Sequence, residues 1–153
     1  MSFSGGCQCG AVRFRAGRLG RASICHCRMC QKAFGGFFGP YVDAFDLEWT
    51  RGAPKHFASS NKARRGFCPE CGTQLTFETE DGPPNLAIGA FDRPQDIEPV
   101  LQIGLDSKLP YADDLASLPH RAPAETEQLA GYYESVVSRQ HPDHDTEAWP
   151  PKS

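Results

Sequence analysis

Positive charge is in short supply in this 153-residue chain: 16 Lys and Arg stand against 19 Asp and Glu, a formal net of −3. A general nucleic-acid binder shows the opposite balance, so nucleic acid is not an expected partner. Long apolar runs are missing too. The nearest, residues 34–42, is short and broken by glycine, far below the roughly 18 apolar residues of a membrane span. No membrane is therefore expected as a partner. The opening residues Met1-Ser2-Phe3-Ser4-Gly5-Gly6 carry neither the basic nor the apolar region of a secretory signal. A reducing, cytoplasmic setting is the expectation. Repeats and a compositional break that would mark a second domain are absent as well, and the length suits one domain.

What is present points to short strands. Gly 15 and Pro 13 punctuate the chain heavily. Val12 and Phe14 alternate with polar neighbours, as do Phe45, Leu47 and Trp49. Residues 37–42, 74–78, 85–90 and 100–105 are further candidates, with turn signals at Gly52-Ala53-Pro54 and Asp81-Gly82-Pro83-Pro84. Six to nine strands are expected, so the chain is mainly β. A turn or two of helix is expected over 28–34. A C-terminal helix is expected over 123–141, where Leu129, Tyr132, Tyr133, Val136 and Val137 form one stripe that should pack on the domain or on a partner subunit. The chain then divides into a domain over 1–122, the helix, and a polar, Pro-rich flexible tail over 142–153.

Seven cysteines cannot all pair as disulfides, and in a reducing compartment clustered cysteines are read as metal ligands or catalytic thiols. They fall into three groups: Cys7 and Cys9; Cys25, Cys27 and Cys30; Cys68 and Cys71. Structural zinc is closed by four ligands, whereas catalytic zinc keeps three and leaves one position open. The simplest partition places Cys7, Cys9, Cys68 and Cys71 around one Zn²⁺ and Cys25, Cys27 and Cys30 around another, two per chain. Gly6, Gly10 and Gly72 permit the tight turns this needs, and Pro69 fixes a knuckle. A redox pair at Cys68 and Cys71 lacks the expected βαβ context, and no iron–sulfur spacing fits. His26 is either a fourth ligand of the loop site or a packing residue beside it.

The three clusters and their flanks, Gly6 to Phe14, Cys25-His26-Cys27-Arg28-Met29-Cys30, Ser59-Ser60 and Arg65 to Leu75, resemble the glutathione-dependent formaldehyde-activating enzymes and the related centromere protein V domain. The resemblance spans about residues 4–118. It implies a β-tent type fold of small antiparallel sheets, the same partition of cysteines, and a carbon–sulfur lyase-like activity joining formaldehyde to glutathione. Cys25, Cys27 and Cys30 would then be catalytic. Two departures stand out: Gln102 where relatives often carry His, and Tyr111 where a Trp is common.

Chemistry points the same way. A zinc bound by three thiolates is a weak Lewis acid and suits a fourth, exogenous thiolate. A small peptide-like thiol such as glutathione brings carboxylates, for which Arg28, Lys62, Arg64 and Arg65, with Ser59 and Ser60, are candidates. The family pattern singles out Arg65. A homodimer is expected from the striped helix and family habit. The alternative is a non-catalytic, zinc-stabilised interaction domain on the same scaffold.

Overall fold

The computed structural model describes residues 2–150. Eight strands form one connected sheet, β1 (Phe3–Gly6), β2 (Arg13–Cys25), β3 (Gly39–Arg51), β4 (Lys55–Ala58), β5 (Ala63–Phe67), β6 (Gln74–Thr79), β7 (Asn85–Ala87) and β8 (Leu101–Ile103). The order is β1-β2-β3-β7-β6-β5-β4, antiparallel throughout, with β8 added parallel to β2. Two helices complete the chain, α1 (Arg28–Phe34) and α2 (Pro123–Ser135).

The strands at the centre are longer than their sequence signals. β2 and β3 span 13 residues each and pair antiparallel with two register shifts. The alternating segments around Val12 and Phe45 extend because each long strand satisfies the other's backbone groups, which local periodicity does not report. β1 covers the first four residues of β2, Arg13 to Ala16, and β8 covers its last three, Ser23 to Cys25. β4 and β5 carry little alternation and are not evident from sequence. β5 is held by pairing with β6, and β4 by pairing with β5.

The core lies under the long pair. Phe14 is fully buried, with T-shaped contacts to Phe91 and Trp49 at centroid distances of 5.0 and 6.0 Å. Val12, Ala16, Val42, Leu75 and Leu86 complete it, and Cys7, Cys30 and Cys68 belong to the same cluster. The cysteine sites are therefore packed into the core rather than hung from its surface.

The C-terminal region departs from expectation. α2 ends at Ser135, six residues early, and Val136 is already extended. Two adjacent β-branched residues do not prolong a helix that packing fails to support. Leu129, Tyr132 and Tyr133 are exposed, so the stripe does not enter the core. Of residues 142–153, read from composition as a flexible tail, 151–153 lie outside the described residues, and the segment before them lies against the first cysteine turn. The His141 N–H donates to Gln8 O at 2.7 Å, and Trp149 Nε1 donates to Cys9 O at 2.6 Å. Asp145 accepts from Arg13 at 2.8 Å, and Arg51 donates to the carbonyl of Thr146. Polar composition misleads here because the segment binds through backbone and charged groups rather than an apolar face. No helix among the described residues is long and apolar enough to cross a membrane.

Candidate metal centres

Each cysteine turn is built by backbone geometry. After β1, Cys7 N–H donates to Val12 O, Gly10 N–H returns to Cys7 O, and Val12 N–H donates to Cys7 Sγ at 3.3 Å. Gly10 has φ +80, and a Cβ there would sit 2.1 Å from His141 Cδ2. Between β5 and β6 the pattern repeats. Cys68 N–H donates to Thr73 O, Gly72 N–H returns to Cys68 O, and Gly72 has φ +77. Gln8 N–H donates to Thr73 Oγ1 at 3.0 Å and ties one turn to the other.

The two turns bring Cys7, Cys9, Cys68 and Cys71 together, with sulfurs all within 4.8 Å of one another. Zinc–sulfur bonds of about 2.3 Å at tetrahedral angles require sulfurs about 3.8 Å apart. The Cys7–Cys9 separation is 3.6 Å and Cys9–Cys68 is 3.9 Å. The donor set fits a closed zinc site. The thiols differ in acidity. Burial pushes Cys9 up to about 11 and Cys68 up to about 12. At Cys71 burial also works upward, but hydrogen bonds from Thr73 outweigh it and bring the thiol down to about 6.

Cys25, Cys27 and Cys30 form a second group with the same mutual spacing limit, and no fourth His, Cys, Asp or Glu among the described residues joins it. Cys25 ends β2, Cys27 caps α1 by accepting the Cys30 N–H at 3.4 Å, and Cys30 lies in the first turn. Burial pushes Cys30 up to about 12, while at Cys27 burial is outweighed by the N–H groups of the helix start and the thiol is lowered. Three soft donors and no fourth fit an open zinc site.

His26 is not in the group. Its ring is 1% exposed, Nε2 pairs with Gln102 Oε1 at 2.9 Å, and Nδ1 has no partner. The departure at Gln102 thus meets His26, and Tyr111 stacks edge-on against Phe37. Arg65 is 1% exposed and faces inward, donating to Ser59 Oγ (2.8 Å), Tyr41 OH (2.7 Å) and Cys30 Sγ (3.4 Å). It is thus enclosed rather than presented to a solvent-facing carboxylate. Ser60 is exposed and accepts the Lys62 N–H, and Arg64 pairs with Glu78 at 2.7 Å. Neither approaches the loop thiols through these contacts.

Sequence reasoning missed three neighbours of the loop. Gly104, with φ +68, lies so close that a Cβ would stand 2.9 Å from Cys27 N and 3.3 Å from Cys25 Sγ. Gln31, also buried, donates to His26 O and Ser107 O and fixes the loop to the segment after β8. Tyr41, on β3, holds one arm of Arg65. Gly104 and Tyr41 are brought there only by chain crossings, whereas Gln31 follows Cys30 directly and only its partners, His26 O and Ser107 O, depend on the fold. A glycine flanked by an apolar strand, at Gly104, was the available signal.

A family model described as glutathione-dependent formaldehyde-activating enzyme matches residues 2–107. The chain belongs to that family. The match takes in all seven cysteines and stops before α2 and the docked C-terminal segment. At family level the chain is an enzyme of glutathione and formaldehyde chemistry. A crystal structure of a Rhodobacter sphaeroides protein is similar at 23% identity and a TM-score of 0.50, covering 65% of this chain and 98% of that one. It supports the fold.

Proposed function

We propose that this family member is a zinc-dependent, carbon–sulfur lyase-type enzyme that interconverts a small thiol plus an aldehyde with their S-hydroxyalkyl adduct. Glutathione and formaldehyde are the substrates the family description favours. The carrying observation is the contrast between a group of four cysteines and a group of three. Zinc held by Cys25, Cys27 and Cys30 would supply a position for the substrate sulfur and lower its pKa. In the net reaction the thiol sulfur bonds the carbonyl carbon, and the thiol proton ends on the carbonyl oxygen; the lyase direction reverses both.

The chain's own residues do the rest. Cys27 and Cys30 are fixed by the start of α1 and by Arg65. An open surface depression is lined by Arg28, Met29, Lys32, Ala33, Phe57 and Ser59, of which Arg28 and Met29 lie between Cys27 and Cys30 in the chain. Its two cations suit the carboxylates of a peptide thiol. Arg28 and Lys32 therefore take the role expected of Arg65 and Ser60. Seven thiols with no disulfide suit a reducing, cytoplasmic setting. The expected homodimer would use the exposed stripe of α2, and sedimentation at micromolar concentration reads it directly.

The test has two parts. Metal analysis should find about two zinc per chain, falling by one in Cys27→Ser with the fold retained. Exchange NMR of glutathione with formaldehyde should show catalysis that Cys30→Ala abolishes, while Arg28→Ala/Lys32→Ala raises KM more than it lowers kcat. A wild-type rate equal to the spontaneous one would leave the zinc-stabilised interaction domain as the better reading.

A further inference from the structure

Two arginines are buried in this protein, and they are partnered differently. Arg13 is held by carboxylates, Asp92 at 2.7 Å and Asp145 at 2.8 Å. Arg65 is more deeply buried and, among the described residues, no carboxylate pairs with it. Its three hydrogen-bond partners are a serine hydroxyl, a tyrosine hydroxyl and Cys30 Sγ, and its guanidinium carbon lies 4.9 Å from the Phe77 ring centroid. An isolated buried cation is strongly disfavoured by the loss of its hydration. Two neutral hydroxyls do not balance it. The group in direct contact that can carry the opposite charge is the Cys30 sulfur.

The geometry points to Arg65 as the built-in counter-ion of the three-cysteine site: a positioning residue that balances the thiolates and holds Cys30 in place. This inference rests on the reading of Cys25, Cys27 and Cys30 as a zinc site. Three thiolates around a divalent ion leave one negative charge, which one guanidinium cancels. A substrate thiolate in the fourth position adds a second negative charge, and Arg65 again offsets one. Among the described residues, no Arg or Lys side chain hydrogen-bonds a sulfur of the closed site. Its four cysteines are exposed at Cys71 and receive hydrogen bonds from backbone and Thr73. Ser59 and Tyr41 fix the orientation of the guanidinium, one at Nε and one at Nη1, so that Nη2 is aimed at sulfur.

The test reads metal binding and needs no turnover. Chelator-treated full-length protein is titrated with Co²⁺, whose thiolate absorption reports each site, and Zn²⁺ affinity is measured by competition with a chromogenic chelator. Arg65→Gln keeps polar atoms without charge, and Arg65→Lys keeps charge without the fork. Loss of a partner behind a ligand commonly lowers metal affinity about 10- to 100-fold. Arg65→Gln should show a loss of that size at the three-cysteine site and leave the four-cysteine site unchanged. Arg65→Lys should recover most of the loss. Tyr41→Phe and Ser59→Ala should each lose only a few-fold. Equal binding by Arg65→Gln and wild type, or a glutamine variant as good as the lysine one, would overturn the counter-ion role. Intact four-cysteine binding in each variant serves as the fold control. A wild-type chain that takes up only one Co²⁺ would instead defeat the underlying two-site reading.

Discussion

Gly104 offers a clean perturbation because the molecule supplies its own control. Gly104 has φ +68 and ψ 34, and Gly35, at the end of α1, has φ +61 and ψ 31. Alanine at either position meets the same left-handed penalty, about 1–2 kcal/mol. The surroundings differ. Nothing lies within 4 Å of a Cβ at Gly35, whereas at Gly104 it would meet Cys27 N at 2.9 Å, Cys25 Sγ at 3.3 Å and Cys27 Cβ at 3.3 Å. The nearest atom is backbone, so no side-chain rotation relieves it. The Gly104 side is also held, by the His26 N–H on Ile103 O, by Gln31 on Ser107 O, and by β8 paired to β2. Strain of about 1–3 kcal/mol should therefore fall on the cysteine loop. If it is expressed in metal binding, Gly104→Ala weakens the three-cysteine site about 5- to 150-fold relative to Gly35→Ala. Competition with a chromogenic chelator on the two-metal protein measures this, and urea unfolding of both variants measures the shared backbone penalty. Equal loop-site affinity in the two variants would refute the reasoning.

Other predictions follow from the buried charges and the docked C-terminal segment. Arg13→Met leaves Asp92, with a side chain 8% exposed, without its partner, and should destabilise by about 3–5 kcal/mol in urea unfolding; a change below about 1 kcal/mol would contradict the burial argument. The same pair sets a pH dependence. Burial alone raises the Asp92 carboxyl, but hydrogen bonds from Arg13 and Ser4 outweigh it and hold the group below its ordinary value. Its contribution is therefore full above the unfolded value of about 3.9 and is lost as pH falls through the lower folded value. The stability gap between wild type and Arg13→Met should narrow in acid below about pH 4, and a gap that widens there would reverse the sign. Trp149→Ala removes the bond to Cys9 O and should speed hydrogen exchange over 141–149 without affecting β2 and β3. Exchange at the unfolded rate already in wild type would show that the segment does not dock.

Much of the metal chemistry was written in local order. Gly10 and Gly72 stand where backbone N–H groups turn toward sulfur, and both have positive φ, so two short motifs foretell their own turns. The two-three-two grouping of cysteines foretells the partition because coordination number is a property of the ion, not of the fold. β6, β7 and β8 are likewise legible from short apolar runs bounded by turn residues.

What lay beyond the sequence is whatever depends on where a side chain ends up after the chain crosses itself. Arg65 reads equally well as a surface cation or a substrate clamp until β5 pairs between β4 and β6 and turns it toward Tyr41 and Cys30. His141 reads as the end of a helix, and Asp145 and Trp149 as tail residues, until Gln8, Cys9 and Arg13 present their carbonyls and guanidinium to them. Local spacing sets up each short cluster of thiols, Cys7 with Cys9, Cys25 with Cys27 and Cys30, and Cys68 with Cys71, while bringing Cys9 to Cys68 already takes the fold. Burial and charge pairing bring together groups as far apart as Arg13 and Asp145, and only the tertiary structure decides them.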